Sequence, residues 1–431
     1  RHVRSVQAIW EAMARGRTPK GRENIYLGTY AGWYAVRDEA FYDEAELGRG
    51  PDGKKRAPSG AEVEWVEEPS YFFRLSDWQD RLLEFYEQHL GSIGPPARRN
   101  EVTSFVRQGL NDLSVSRTTF TWGIKVPGAP AHVMYVWLDA LTNYITALGY
   151  PNTEDLLFRT FWPANLHMVG KDILRFHSVY WPAFLMAAGV EPPRRVYAHG
   201  WWTVEGAKMS KSLGNVIDPH EMIAKYGLDQ VRYFLLREVP FGQDGDFSQA
   251  AMVRRINTDL ANDLGNLAQR VLSFVAKNAG GAVPPRGAFA PAAEALLALA
   301  RGQLAGMRAA LDEQAFHKAL DALWQVVSAA NRYVDAEAPW TLRKTDAARM
   351  NTVLYVLADV LRRVAVLAQP FMPGTMGRLL DQLAVPADAR SFAELERALA
   401  PGTARPAPVG LFPRLMAEGQ GGASSGRAGG S

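Results

Sequence analysis

Lys208-Met209-Ser210-Lys211-Ser212-Leu213-Gly214-Asn215 is the stretch on which the reading of this chain turns. Two lysines three apart flank small residues, and Glu205-Gly206 just before them can make a turn after a strand. A loop of this kind can set ammonium groups against phosphate oxygens, where positive charge stabilises the negative charge that builds on an α-phosphate under attack. A bare Lys-x-Ser-Lys match reads first as a solvated surface loop, so the flanking sequence has to decide.

Upstream, short apolar runs (133–138, 166–169 and 196–199) alternate with helical stretches such as 172–188. That alternation predicts a parallel sheet of the α/β type. Nearer the start, residues 1–16 suit a short helix, 24–35 and 70–74 suit strands, 78–86 a helix, and the polar, Gly-rich 46–60 a loop. Downstream of about Asp246 the strand signal stops. Segments 252–277, 291–311, 316–334 and 347–369 all read as helices, with Phe316, Leu320, Leu323, Trp324 and Val327 spaced as one buried face. Pro284 and Pro285 separate the first two, and Pro370 and Pro373 stop the last, which predicts an antiparallel helical bundle. No internal repeat is visible.

Composition removes several classes. The sequence contains no cysteine, which excludes disulfides and thiolate zinc sites. Its eight histidines show no metal-ligand spacing, so no metal site is expected. Forty-eight basic residues stand against 45 acidic ones, so any contact with nucleic acid has to come from local patches. The longest apolar run, 353–368, is interrupted by Asp359, Arg362 and Arg363 and is too short and too charged to span a bilayer. With no signal peptide, the expectation is a cytoplasmic protein whose sequence begins, at Arg1, in the middle of something. The Gly/Ser-rich 419–431 is expected to be disordered.

In the helical half, Asn262, Asn266 and Arg270 are spaced i, i+4, i+8 on one helix face. Amide and guanidinium groups on a rigid face suit hydrogen bonding to splayed-out bases, though an ordinary polar helix surface reads the same way. Ala338-Pro339-Trp340 ends another helix, and an exposed tryptophan there can stack on a base or else close a core.

The lysine loop, with its Gly214-Asn215-x-x-Asp218-Pro219 continuation between an α/β segment and a helical bundle, resembles the KMSKS signature of class I aminoacyl-tRNA synthetases. Two further segments, Tyr135-Val136-Trp137-Leu138-Asp139-Ala140 and Gly170-Lys171-Asp172-Ile173-Leu174-Arg175-Phe176-His177, resemble the pocket segments of methionyl-tRNA synthetases. The likeness runs from about Arg1 to Arg414. It implies an incomplete Rossmann-like α/β catalytic domain with a connective insertion, followed by an all-α anticodon-binding helical bundle.

The expected boundaries are 1–20 for a remnant of the first catalytic half, 21–100 for the insertion and 101–205 for the second catalytic half. Residues 206–250 would carry the lysine loop and a stem-contact region, 251–385 the bundle, and 386–431 a C-terminal segment and tail. The leucyl, isoleucyl and valyl enzymes carry an editing domain, and the insertion here is too small for one. The family's paired zinc-knuckle cysteines are absent, so the resemblance implies a zinc-free knuckle in which Tyr30, Trp33, Tyr34, Phe41 and Tyr42 form a substitute core.

Site residues follow from the same resemblance. Trp137, Ala140, Tyr144, Ile173 and His177 would line a methionine pocket, where an apolar, polarisable thioether packs on aromatic rings. Leu141 stands where many family members have proline. Lys171, Asp172, Arg117 and Lys211 would face ATP, brought with Mg²⁺, and Lys208 and Lys211 would serve catalysis. Asn266, Arg270 and Trp340 match anticodon-contacting positions. The implied partners are methionine, ATP and the methionine tRNA, and a monomer is expected. The family's His-x-Gly-His motif is absent, so the resemblance implies a parent ligase of which this stretch alone is incomplete for catalysis. The alternative is a non-catalytic tRNA-binding protein.

Overall fold

The computed structural model describes residues 1–37, 40–42, 44–209 and 214–415; Ser210, Lys211 and Ser212 of the lysine loop, and the glycine-rich tail, lie outside them. The chain divides into two compact units, Arg1–His199 and a second from Gly200 onward.

The first unit opens on the helix His2–Arg15, whose Val6, Ile9, Trp10 and Met13 form the buried face that an i, i+3, i+4, i+7 pattern requires. A four-stranded antiparallel sheet follows, in the order Ala40–Tyr42, Ile25–Ala35, Glu64–Phe73, Leu113–Ser114. Its two long strands pair from Ile25 opposite Phe73 to Tyr34 opposite Glu64. Within the stretch expected to be a loop, Gly48–Arg49 pairs with Lys55–Arg56 as a small ribbon.

The insertion's substitute core differs from the aromatic one expected. Its buried residues are Ala35, Ala57 and Ala61, with Tyr42 and Val63 packed against them. The side chain of Phe41 lies outside the described set, while Tyr30, Trp33 and Tyr34 are half-buried. Trp33 meets Trp65 edge-on at 5.3 Å, its Nε1 donates to Glu44 at 2.6 Å, and Lys55 lies 4.0 Å above its ring. The three alanines close this interior, and the rings of Tyr30, Trp33 and Tyr34, on the strand Ile25–Ala35 of the four-stranded sheet, stay partly exposed.

A parallel sheet is present, with a different membership from that expected. His167–Gly170 pairs with Val196–His199, which pairs with Ile93–Gly94. The run 133–138 does not join it. Its first residues belong to Ala129–Met134, flanked antiparallel by Ser116–Arg117 and Lys125–Val126. The rest starts the helix Val136–Thr146, after Tyr135 in an extended conformation. Between the two parallel strands runs a helical segment, Phe176–Tyr180 with a widened turn and then Trp181–Ala187. This β-helix-β crossover puts the carboxyl end of His167–Gly170 where α/β sheets hold their ligands.

In the second unit a small sheet, in the order Ala207–Lys208, Trp202–Val204, Gly245–Phe247, leads into helices. The first bundle helix runs through Gln249–Arg255, a wide-turned Ile256–Gly265 and Asn266–Asn278. The helix expected over 291–311 is split at Gly302 into Pro291–Arg301 and Gln303–Asp312. Phe316–Glu337 buries Leu320, Leu323, Trp324 and Val327, with Phe316 half-buried at its start. Ala347–Ala368 lies at the centre of the bundle.

Asp359, Arg362 and Arg363 of that last helix are buried; the one carboxylate pairs with both guanidiniums, and Glu396 lies 3.7 Å from Arg363. Asp359 accepts from Arg362 Nε at 2.8 Å and Arg363 Nε at 2.9 Å, while Arg362 also donates to the Leu395 carbonyl at 2.8 Å. Buried charges persist when paired and hydrogen-bonded in this way. No helix among the described residues is long and apolar enough to cross a membrane.

Candidate functional site

The helix Val136–Thr146 carries Trp137, Ala140 and Tyr144 at i, i+3 and i+7, on the side adjoining its buried Leu138, Leu141 and Ile145. Leu141 is 1% exposed and belongs to the core. Ile173 and His177 come from the segment that follows His167–Gly170. Packing brings several of these residues into contact. The Tyr144 hydroxyl lies 2.7 Å from His177 Nε2, and His177 Nδ1 lies 3.0 Å from the Ile173 carbonyl. A carbonyl only accepts, so Nδ1 carries the proton and Nε2 accepts from the phenol.

Burial pushes the His177 imidazole below its ordinary pKa, against the smaller opposing effect of the Ile173 hydrogen bond, and pushes the Tyr144 phenol up. Both groups are therefore neutral at pH 7. With both nitrogens engaged, the cluster presents ring faces and a phenol oxygen, a surface suited to an apolar, polarisable group.

Sequence reasoning missed two members of the cluster. Phe176 stacks on Trp137 with centroids 3.7 Å apart at 12°. His167 packs against Tyr144 at 4.1 Å and is 5% exposed. Burial, and to a lesser extent the charge of His177, pull the His167 pKa from 6.5 to about 4. The unfolded chain takes up this proton near pH 6.5 and the folded chain near 4. The stability contributed by the neutral ring is therefore fully present above about pH 6.5 and lost as pH falls towards 4, about 3 kcal/mol in all at 1.36 kcal/mol per unit. Denaturant unfolding at pH 7, 5.5 and 4.5 should show this slope, and His167→Phe should remove it.

Of the groups expected near ATP, Lys171 is half-buried and Asp172 exposed, both immediately after Gly170. Arg117 is held firmly. Its side chain is 12% exposed, lies 3.8 Å from Glu68, donates to the Ser116 carbonyl at 2.8 Å, and sits between the rings of Tyr30 and Tyr135 at 5.0 and 4.8 Å. Glu68, also unanticipated, is buried and accepts from Thr118 N, Thr118 Oγ1 and Thr119 N.

In the second unit the turn expected at Glu205-Gly206 is present, both residues having positive φ, 50° and 77°. This conformation matches the twist of a two-residue hairpin. Asp246 ties the turn down, accepting from Gly206 N at 2.8 Å and Thr203 Oγ1 at 2.6 Å, and these hydrogen bonds hold its carboxyl below the usual range. Lys208 leaves the hairpin with Nζ 4.5 Å above the Trp201 ring, and Asn215 Nδ2 donates to the Lys208 carbonyl at 3.1 Å. Lys211 lies outside the described residues. Asp218 caps the next helix, Pro219–Tyr226, by accepting from His220 N.

On the bundle, Asn262 and Asn266 are exposed, and Arg270 is half-buried. Trp340, 44% exposed, does not end a helix. It is the second residue of Pro339–Thr345, reached through the left-handed Ala338 with φ 42°. The Arg270 guanidinium lies 5.6 Å from the Trp340 ring centroid and donates to Asp335 at 2.6 Å. Asp335 escaped sequence reasoning because it lies 65 residues from Arg270. Among the described residues no group of three His, Asp or Glu side chains could hold a metal ion.

The hairpin-borne lysine loop, the α/β unit and the bundle define a class I aminoacyl-tRNA synthetase, and family models agree: "tRNA synthetases class I (M)" matches residues 1–272, and "Anticodon binding domain of methionyl tRNA ligase" matches 283–428. The methionine--tRNA ligase of Brucella suis biovar 1 is 60% identical over 417 residues, 96% of this chain and 80% of that protein. That of Mycobacterium tuberculosis H37Rv is 53% identical over 96% of this chain and 80% of its own length. A crystal structure of the M. tuberculosis methionyl-tRNA synthetase bound by methionyl-adenylate superposes with a TM-score of 0.90 at 53% identity, covering 96% of this chain and 81% of that one. The chain belongs to the methionyl-tRNA synthetase family, the methionine--tRNA ligases.

Proposed function

We propose that the cluster on the first unit is the methionine pocket of this ligase, with Trp137, Ala140, Tyr144, Ile173 and His177 around the thioether. The observation that carries this reading is the Tyr144–His177–Ile173 chain of hydrogen bonds beside the stacked Trp137 and Phe176. It fixes an aromatic surface on which the Tyr144 hydroxyl and both His177 nitrogens are already engaged, and such a surface favours a thioether over a protic side chain.

In the reaction, the methionine carboxylate attacks the α-phosphorus of ATP. The bond to the bridging oxygen breaks, pyrophosphate leaves, and methionyl-adenylate remains. The terminal ribose hydroxyl of the methionine tRNA then attacks the acyl carbon, and AMP leaves. ATP arrives with its Mg²⁺ as part of the substrate. Lys208 and Lys211 stabilise the charge that builds on the α-phosphate, and Asp172 accepts from the ribose. Lys171 and Arg117 supply fixed positive charge toward ATP. Asn266, Arg270 and Trp340 read the anticodon. The protein acts as a cytoplasmic monomer, with the connective insertion at 21–100 zinc-free.

Tyr144→Phe tests the pocket. It leaves His177 Nε2 without its donor, and the KM for methionine in ATP–pyrophosphate exchange by the full-length protein should rise about tenfold, the worth of one buried hydrogen bond. An unchanged KM for methionine would remove Tyr144 from the pocket.

Gly170→Ala tests the role of Asp172 separately. A Cβ at position 170 would lie 2.5 Å from Asp172 Oδ1, and the next atom is 3.6 Å away. The end of an exposed side chain can move aside, so the melting temperature should hold while the KM for ATP rises several-fold. An unaltered KM for ATP would argue against the ribose contact.

A further inference from the structure

We infer that His167 is a positioning residue for methionine binding, acting through the ring of Tyr144; the inference rests on the assignment of Tyr144 and His177 to the methionine pocket. His167 opens the strand His167–Gly170, whose far end passes directly into Lys171, Asp172 and Ile173. Its imidazole packs against Tyr144 with centroids 4.1 Å apart at 40° and meets Trp162 edge-on at 6.0 Å. The His177 ring lies 6.2 Å away.

Tyr144 is thus held at two points, by His167 against its ring and by His177 at its hydroxyl. Those holds come from different elements, the parallel strand and the helical segment after it, while Tyr144 belongs to the helix Val136–Thr146. Three elements therefore converge on one phenol ring. A ring fixed in advance loses no rotamer freedom when a ligand settles beside it, so the pocket binds without an ordering cost.

The buried Nδ1 of His167 makes no hydrogen bond to the described residues. The imidazole is therefore held by its packed faces, and what it supplies to the pocket is the shape of a flat ring. That separates His167 from His177, whose two nitrogens are both engaged.

Steady-state ATP–pyrophosphate exchange by the full-length protein tests this. His167→Ala should raise the KM for methionine about tenfold, the upper worth of one aromatic contact, with kcat and the KM for ATP unchanged. His167→Phe, which restores a flat ring, should return the KM for methionine to within about twofold of the parent. Should His167→Ala fail to fold, His167→Leu, which keeps bulk without a flat ring, carries the same expectation. In a Tyr144→Ala background, replacing His167 should add nothing further. The inference is overturned if His167→Ala leaves the KM for methionine unchanged, if both KM values rise together, or if phenylalanine does not rescue. A Tyr144→Ala protein with an unchanged KM for methionine would instead bring down the pocket assignment itself.

Discussion

Methionine-dependent ATP–pyrophosphate exchange should fall by about 10²- to 10³-fold when Lys211 is replaced by alanine, with the KM for methionine little changed. A preorganised positive group aimed at charge that develops only in the transition state is worth that much, and its loss appears in kcat because the ground state does not use it. The sequence after the hairpin suits this role. The turn at Glu205-Gly206 is pinned by Asp246, so Lys208 leaves a fixed base, and Asn215 returns to the Lys208 carbonyl. Between these anchors stand only Met209, Ser210, Lys211, Ser212, Leu213 and Gly214. Lys208→Ala should act in the same direction. Its Nζ also lies over the Trp201 ring, so its loss should in addition lower the melting temperature slightly. Full exchange activity in Lys211→Ala would exclude it from the chemical step.

Trp340→Ala is the second large effect expected, a loss of about 10- to 100-fold in affinity for the methionine tRNA with adenylate formation intact. Stacking of one base on an exposed aromatic side chain is worth about 1–3 kcal/mol, which sets that range. Trp340 is well placed to stack because the left-handed Ala338 ends the preceding helix and turns the chain, leaving the indole 44% exposed. The neighbouring Arg270 is steadied by Asp335, so its guanidinium can offer hydrogen bonds to a base beside the stacked one. Arg270→Ala should weaken tRNA binding as well, and because the two side chains touch, the double substitution should cost less than the sum. An unaltered tRNA affinity in Trp340→Ala would remove the indole from the anticodon reader. Loss of pyrophosphate exchange alongside it would point to a folding defect.

What could be read from the chain alone depended on how local each signal was. The hairpin turn was legible because Glu205-Gly206 needs positive φ at both positions and glycine supplies one of them. The two four-residue parallel strands were legible as apolar runs, and the buried face of Phe316–Glu337 as helical spacing. The third member of the parallel sheet, Ile93–Gly94, is two residues long and leaves no periodic trace. The run 133–138 read as one strand because Met134 to Leu138 stays apolar or aromatic throughout; the break falls at Tyr135, where the backbone turns from sheet to helix without glycine or proline. The division at Gly302 had only a lone glycine to mark it, and the widened turns at Phe176–Tyr180 and Ile256–Gly265 follow from packing.

The site was legible where the family motifs lie and obscure where tertiary packing supplies the partner. Tyr144 and His177 were expected together, and they share a hydrogen bond across 33 residues of sequence. His167, Glu68, Asp246 and Asp335 each act on an expected residue from another element, and nothing local marks them; Phe176 stands inside the pocket segment, but only packing sets it on Trp137. The insertion's core was misjudged for a related reason. Aromatic residues signal burial on average, but three alanines close this small interior, and the rings on Ile25–Ala35 stay half-buried.

We propose that Trp137, Tyr144, Ile173 and His177 enclose the methionine side chain. A crystal structure of the full-length protein with methionine bound decides this. The expected result is the thioether lying against the Trp137 ring and beside the Tyr144–His177 hydrogen bond. A methionine side chain found away from these four residues would contradict it.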